Sequence, residues 1–250
     1  MTGQWLAGGA LLLSFILALG WAGFDSRKAQ AGFWREAERR GGRLAPFFYY
    51  VGLPYLAIIF GILPTRMLGL KGLEHFALIQ LTGGISTATV AELQSAASLM
   101  LFEWLLDIGP ILLPSLLALI TLGGITYGLA RTGISQTTPQ LSLSRIIYYG
   151  LHWAFYRAIF WRMTDDLYLG IVLGTQMVIL ELILMAYLQK TWPDQQPQIL
   201  MTFIILILTS SIFFYSPNLW LLWVIHWLMV VLVTGINLAY ASTEIPVEQQ

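Results

Sequence analysis

Cysteine is absent from this chain of 250 residues, and histidine occurs only three times, as His75, His152 and His226. Without cysteine there is no disulfide, no thiolate nucleophile and no cysteine-ligated zinc or iron–sulfur cluster. No Walker A, HExxH or GxGxxG pattern occurs either, and no metal site is predicted. Because the basic residues form one short cluster rather than an extended basic face, nucleic-acid binding is not expected.

Charged residues are also scarce, at 10% of the sequence, whereas hydrophobic residues make up 57%. A soluble domain usually carries about 25% charged residues, so this chain has too few to cover a water-exposed surface. A bilayer core of about 30 Å requires about 20 apolar residues per helix. Several segments reach that length, and the composition therefore predicts an integral membrane protein.

The hydrophobic runs predict an all-α, multi-pass membrane helix bundle with about seven transmembrane helices. We interpret residues 1–250 as one membrane domain, with N-terminal helices and an interfacial segment in 1–97 and the main bundle in 98–241. The predicted spans are 5–24, 46–65, 102–130, 144–163, 167–189, 199–215 and 219–240.

Polar or proline-containing stretches separate these runs. TGISQTTPQLS (132–142) is predicted to be a polar loop, and WPDQQPQ (192–198) a second clear break. The pair of aspartates at 165–166 and the SPN sequence at 216–218 predict tight turns.

The N-terminal part of the chain indicates how the protein lies in the membrane. Residues 24–46 hold six of the thirteen basic residues, so the positive-inside bias places this loop in the cytoplasm. We expect a cell inner membrane, with the N-terminus outside and the C-terminus cytoplasmic. Residues 66–97 are too polar to span, and an interfacial helix followed by a small-residue loop is expected there.

Ionisable residues inside predicted spans are functional candidates by default, because lipid does not solvate charge. His152 lies thirteen residues before Asp165, and Glu181 lies sixteen after it. At about 1.5 Å per residue, these two side chains fall within about 5 Å of the same depth. The candidates are Glu103, Asp107, His152, Arg157, Glu181 and His226.

A second polar level could hold Arg157, counted from the turn at Asp165, together with His226, Ser210 and Ser211, counted from the turn at 216–218. Two interpretations stay open for both levels. One is a functional polar site inside the bundle. The other is a structural polar core of Arg157, Glu181 and Ser210, with Glu181 neutral or bonded to His152 and Arg157 bonded to backbone carbonyls.

Glu103 and Asp107 lie four residues apart and therefore share one helical face. Paired carboxylates can bind a cation or shuttle protons, but their place near the outer end of a span favours a solvated pair without a role. His75, beside Glu74 in the interfacial segment, is expected to be exposed and inert.

HWAFYRAIFW, residues 152–161, resembles the first motif of the CAAX prenyl protease and bacteriocin-processing family of intramembrane peptidases. That motif is Glu-Glu-x-x-x-Arg. His152 and Trp153 occupy the positions of the glutamates, Arg157 that of the arginine, and two aromatic residues precede the arginine here as in the family.

The resemblance covers about residues 100–240, and the family's catalytic residues do not carry over. Phe213 aligns with the second motif, Phe-x-x-x-His, but Pro217 stands where its histidine should be, and the chain has no adjacent glutamate pair. The resemblance therefore implies a pseudoenzyme that keeps the scaffold and only a residual motif, His152 and Arg157. Peptide hydrolysis is the less expected activity.

The function we expect is that of a non-catalytic subunit, or an accessory or assembly protein, of a larger membrane complex. Its partners would be other integral membrane proteins and lipids, because small residues in TLGGITYG and LGTQ suit lateral helix packing. No cofactor is predicted on this interpretation. As an alternative, His152 and His226 could ligate the metal of a haem or of a (bacterio)chlorophyll-type pigment. Transport through Glu181 ranks lower, because no matching pair of broken helices is evident.

Overall fold

The computed structural model describes residues 2–27, 44–76, 89–132, 143–188 and 192–243, and the regular secondary structure in these ranges is helical throughout. The predicted all-α class is therefore confirmed. A π-helical turn, Phe48–Gly52, joins the second helix to the third. The helices are α1 (Thr2–Arg27), α2 (Leu44–Phe47), α3 (Leu53–Ile59), α4 (Val90–Arg131), α5 (Leu143–Thr164), α6 (Leu167–Leu188), α7 (Trp192–Phe213) and α8 (Leu219–Thr243).

Five helices of the described chain, α1, α4, α6, α7 and α8, are long and apolar enough to cross a membrane. Two further predicted spans correspond to helices outside this group. The span 46–65 is divided between α2, the π-helical turn and α3, and α5 carries a histidine and three arginines. Length and composition thus support five spans, and the count of seven stays a prediction.

Helix α5 lies at the centre of the bundle, with every residue from Gly150 to Ile159 buried. Two glycines of α6 allow its closest contact. A Cβ atom on Gly174 would lie 2.6 Å from the Arg157 backbone, and one on Gly170 would lie 2.6 Å from that of Trp161. This spacing of four brings the two helix backbones together, as the small residues of LGTQ predict.

Helix α4 is unusually long, at 42 residues, or about 63 Å at about 1.5 Å per residue. Pro110 and Pro114 lie inside it without ending it. Its first turn carries a capping box, in which the Thr89 side chain accepts from the Glu92 backbone and the Glu92 side chain accepts from the Thr89 backbone. The loop expected at the end of 66–97 is therefore wrong for residues 90–97, which are helical.

A non-helical loop follows α3 and packs into the bundle, with Leu63, Leu68 and Leu70 buried. Gly69 and Gly72 adopt positive φ angles of 78° and 87°, which a residue with a side chain would adopt only with strain. The carbonyl of Gly69 accepts a hydrogen bond of 2.7 Å from Leu219, the first residue of α8. The interfacial helix expected here is reduced to one turn at 73–76, and residues 77–88 lie outside the described ranges.

The expected turns at 165–166 and 216–218 are present, with Asp165 at a φ of 56°. The break expected at WPDQQPQ is wrong, because helix α7 begins at Trp192 and continues through Pro197. Pro193 lies in the first helical turn, where the missing N–H would have no partner. Pro197 lies inside α7 and removes one helical hydrogen bond without ending the helix. Most of the basic loop (28–43) and of the polar loop (133–142) lies outside the described residues.

Candidate functional site

His152 and Glu181 form a buried pair between α5 and α6. The Nε2 atom of His152 lies 3.1 Å from Oε1 and 3.2 Å from Oε2 of Glu181. The two side chains are only 2% and 5% exposed. The structure thus joins the two residues that helix counting places at one depth.

Three tyrosine rings enclose the His152 ring. The rings of Tyr49, Tyr50 and Tyr156 have centroids 4.7, 5.0 and 4.9 Å from that of His152. The Tyr156 hydroxyl shares a 2.9 Å hydrogen bond with Ser14, which ties α1 to the same cluster. Within the described chain, neither the Tyr49 hydroxyl nor His152 Nδ1 has a hydrogen-bond partner.

Sequence reasoning missed the contributions of Tyr49, Tyr50 and Ser14. The two tyrosines project from the π-helical turn Phe48–Gly52, and single π-helical turns are frequent at functional sites. The aromatic run FFYY was the available signal. A serine inside an apolar helix gave no comparable signal, since its depth alone does not select a partner.

The surroundings of His152 and His226 test whether either residue could hold a haem or chlorophyll-type pigment. The free nitrogen of His152, Nδ1, is buried in the tyrosine enclosure, where a macrocycle would displace the rings. His226 stacks on Trp153, with ring centroids 5.3 Å apart, and lines a cavity of about 60 Å³. Pockets for drug-sized ligands measure about 300 Å³ or more. The residues around both histidines do not fit such a cofactor.

Arg157 is fully buried one turn beyond Trp153 on α5. Its Nε atom donates a 3.1 Å hydrogen bond to the Trp153 carbonyl, which is the kind of backbone partner expected. The guanidinium lies 4.4 Å from the centroid of the Phe213 ring, an arrangement that partly offsets a buried positive charge. The two terminal nitrogens have no hydrogen-bond partner in the described part of the chain.

The remaining members of the expected second level have other partners. Ser210 accepts a 2.9 Å hydrogen bond from Thr175 on α6. Ser211 is exposed and donates to Ile207 in its own helix, so its placement in the polar level is wrong. Counting residues gives depth, but adjacent residues of a helix point about 100° apart.

A second polar cluster, termed here the Lys71 clamp, holds the buried loop against α4 and α8. Lys71 Nζ lies 2.8 and 2.9 Å from the two carboxylate oxygens of Asp107. Asn218 Nδ2 donates to the same carboxylate at 2.8 Å. Asp107 is therefore buried and paired, and the expectation that it is solvated is wrong.

Five further contacts complete the Lys71 clamp and its neighbourhood. The Lys71 carbonyl accepts hydrogen bonds of 3.2 Å from the indoles of both Trp104 and Trp220. The Asn218 side-chain oxygen accepts from two backbone N–H groups in the first turn of α8, as a helix cap does. His75, which was expected to be exposed, is half-buried, and its Nε2 atom lies 3.3 Å from Glu103.

No set of three or more histidine, aspartate or glutamate side chains in the described ranges is arranged to hold a metal ion. Comparison of the chain with protein-family models, with curated proteins and with solved structures finds no match. The structure is that of a helical protein in which five apolar helices of the described chain could span a membrane. Its function has to be argued from its own geometry.

Proposed function

We propose that this chain is a non-catalytic subunit, or an assembly partner, of a larger integral membrane complex. The observation that carries the proposal is the outward face of α4. Gly124 and Gly128 lie four residues apart on that face, and a Cβ atom at either would meet nothing within 4 Å. Two small residues at this spacing in an apolar helix let a second helix approach closely.

The face with these glycines lies opposite the side of α4 that the bundle covers. Buried residues recur along α4 at spacings of three and four and include Ile111, Leu122 and Thr126. The opposite stripe is exposed and apolar, and it runs into the glycine pair. Its members are Leu113, Leu117, Ile120, Gly124 and Gly128.

Three of the polar residues that could carry chemistry, His152, Glu181 and Asp107, are engaged in contacts within the chain. His152 and Glu181 bind each other inside a tyrosine enclosure, and Asp107 is bound by Lys71 and Asn218. A general base must reach the water it activates, and Glu181 is 5% exposed. On this proposal, the resemblance to CAAX-type peptidases reflects a scaffold whose residual motif serves helix packing.

The finer topology belongs to the same proposal. It has seven spans, with α2–α3 and α5 counted beside the five long apolar helices, in a cell inner membrane. The basic segment 24–46 supports a cytoplasmic first loop, hence an outside N-terminus and a cytoplasmic C-terminus. Helix α5 would cross the membrane with its middle surrounded by protein, which explains how it tolerates Arg157 there. Arg145 and Arg162 lie near the two ends of the helix.

Affinity purification in a gentle detergent, with quantitative mass spectrometry, tests the interface. Wild type is expected to recover a stoichiometric membrane-protein partner, and Gly124→Leu and Gly128→Leu are each expected to lose most of it, because the added side chain holds the partner helix away. Gly235→Leu on α8 is the matched control, since a Cβ atom there also meets nothing within 4 Å. It should retain the partner. A wild-type chain that purifies alone, or equal recovery with all three variants, would refute the proposal.

A further inference from the structure

A cavity of about 60 Å³ lies between α5, α7 and α8, outside both polar clusters. Polar side chains line one end, where Arg145 is exposed and Gln198 and Thr202 are half-buried. The other end is formed by buried residues, among them Trp153 and His226. From Arg145 to Trp153 is eight residues of α5, or about 12 Å at about 1.5 Å per residue. The cavity therefore has a polar mouth and an enclosed floor.

His226 lies at this floor without a partner of its own. The residue as a whole is 5% exposed, and no hydrogen bond to its ring occurs among the described residues. One face of the ring is covered by Trp153, with the two ring planes within 13° of parallel. Because buried polar groups nearly always have a hydrogen-bond partner, and because His226 lines the cavity, a partner for its ring is expected to enter from that cavity.

The charges around the cavity are positive. Arg145 lies at the mouth, and no carboxylate occurs among the described residues that line it. Beyond the floor, the fully buried Arg157 lies one helical turn past Trp153 on α5, and its terminal nitrogens have no hydrogen-bond partner among the described residues. A buried cation attracts an anion strongly where the dielectric constant is low.

We propose that this cavity binds a small organic carboxylate, whose acid group accepts a hydrogen bond from His226 and whose apolar part lies against Trp153 and Ile205. Arg145 steers the anion to the mouth. The positive charge of Arg157 then favours an acid group at the floor over an amide or an amine. The small volume limits the ligand to a short chain. This site lies on α5, α7 and α8, whereas the proposed partner interface lies on α4. The two proposals can therefore be tested independently.

Ring NMR of the full chain labelled with [¹³Cε1]histidine tests this proposal directly, because the sequence has only three histidines. Titration with sodium butyrate is expected to shift the His226 signal saturably, and to leave the signals of His75 and His152 in place. His226→Gln assigns the signal. Butylammonium and butyramide serve as a cationic and a neutral probe of similar shape, and neither is expected to reproduce the shift.

Two variants separate the site from the fold. Arg145→Gln, at an exposed position, is expected to weaken butyrate binding by a factor of roughly five or less, the effect of one partly screened charge. Ile205→Phe fills the cavity and is expected to abolish the shift, while an unchanged His152 signal shows that the bundle is intact.

Three results would overturn the assignment. The first is a His226 signal that butyrate does not move. The second is an equal shift with butylammonium. The third is chloride binding as tightly as butyrate, because the apolar wall would then contribute nothing to recognition.

Discussion

At the scale of single residues, the His152–Glu181 pair is the polar contact whose disruption should destabilise the apolar bundle most, if only one of its two members is removed. Both side chains are almost completely buried. If one is removed, water therefore cannot take its place as the hydrogen-bond partner of the other. Removing one member of a buried pair costs about 3–5 kcal/mol, whereas replacing both by apolar residues is often neutral. The pair therefore contributes to specificity between α5 and α6 more than to net stability.

This asymmetry predicts the outcome of a double-mutant cycle. Glu181→Leu alone should lower the free energy of unfolding by roughly 3 kcal/mol or more, because it leaves His152 buried beside three tyrosines without its hydrogen-bond partner. The double variant with His152→Phe should recover much of that loss. Thermal or denaturant unfolding of the purified chain in detergent measures all the variants.

The control for this cycle is Glu103→Gln, which removes the negative charge beside His75 at a partly exposed site. It should change stability by about 1 kcal/mol or less. If the loss of unfolding free energy in the double variant equals the sum of the losses in Glu181→Leu and His152→Phe, the two residues are not energetically coupled, which would contradict this account.

Residue counting could predict which polar groups share a depth, because the rise per residue of a helix is nearly constant. It could not predict rotation about each helix axis. Ser210 therefore has its partner on α6 whereas Ser211 points outward, and Asp107 is buried whereas Glu103 is partly exposed. The partners Lys71 and Asn218 lie in non-helical segments, whose course hydropathy does not predict.

At the scale of elements, the contact between α5 and α6 depends on Gly170 and Gly174. A Cβ atom at Gly174 would meet the Arg157 backbone at 2.6 Å, and a backbone cannot swing aside as a flexible side chain can. The same approach holds Glu181 beside His152. Small residues in one helix thus position the buried pair in the next.

Gly174→Ala is accordingly expected to destabilise the protein, by about 1–3 kcal/mol, the usual cost of overpacking a core. Away from such contacts, alanine is the better helix former, by about 1 kcal/mol. Gly235→Ala, in open space on α8, should therefore be neutral or stabilising. Unfolding of both variants under the same detergent conditions gives the comparison. A Gly174→Ala protein as stable as Gly235→Ala would contradict the close approach of α5 and α6.

Element boundaries were predictable where a turn has its own chemistry, as at Asp165–Asp166 and at SPN. They were not predictable at WPDQQPQ, because the prolines of that stretch are accommodated within α7. Nor were they predictable before residue 102, where α4 continues as a polar helix stabilised by the Thr89 capping box. Hydropathy indicates where a helix enters lipid, and the helix itself extends further.

At the scale of the whole molecule, the protein consists of a buried central helix, α5, with more apolar helices around it. Hydropathy gives α5 a weaker membrane-spanning signal than the five long apolar helices. A helix enclosed by protein can carry charges that lipid would not tolerate. The membrane class was predictable from composition alone. The proposed partner surface was indicated only in part, because TLGGITYG suits helix packing but the sequence does not say which of its glycines lie in open space.

Site-specific crosslinking in native membranes tests the central claim, that α4 docks another membrane protein, most directly. The cysteine-free chain allows a single photoreactive label at Gly128→Cys, with Gly235→Cys on α8 as the control. The account predicts a crosslink from position 128 to one other integral membrane protein, and none to that protein from position 235. Equal crosslinking from both positions, no protein adduct from position 128, or an adduct only with a second copy of this chain would contradict it.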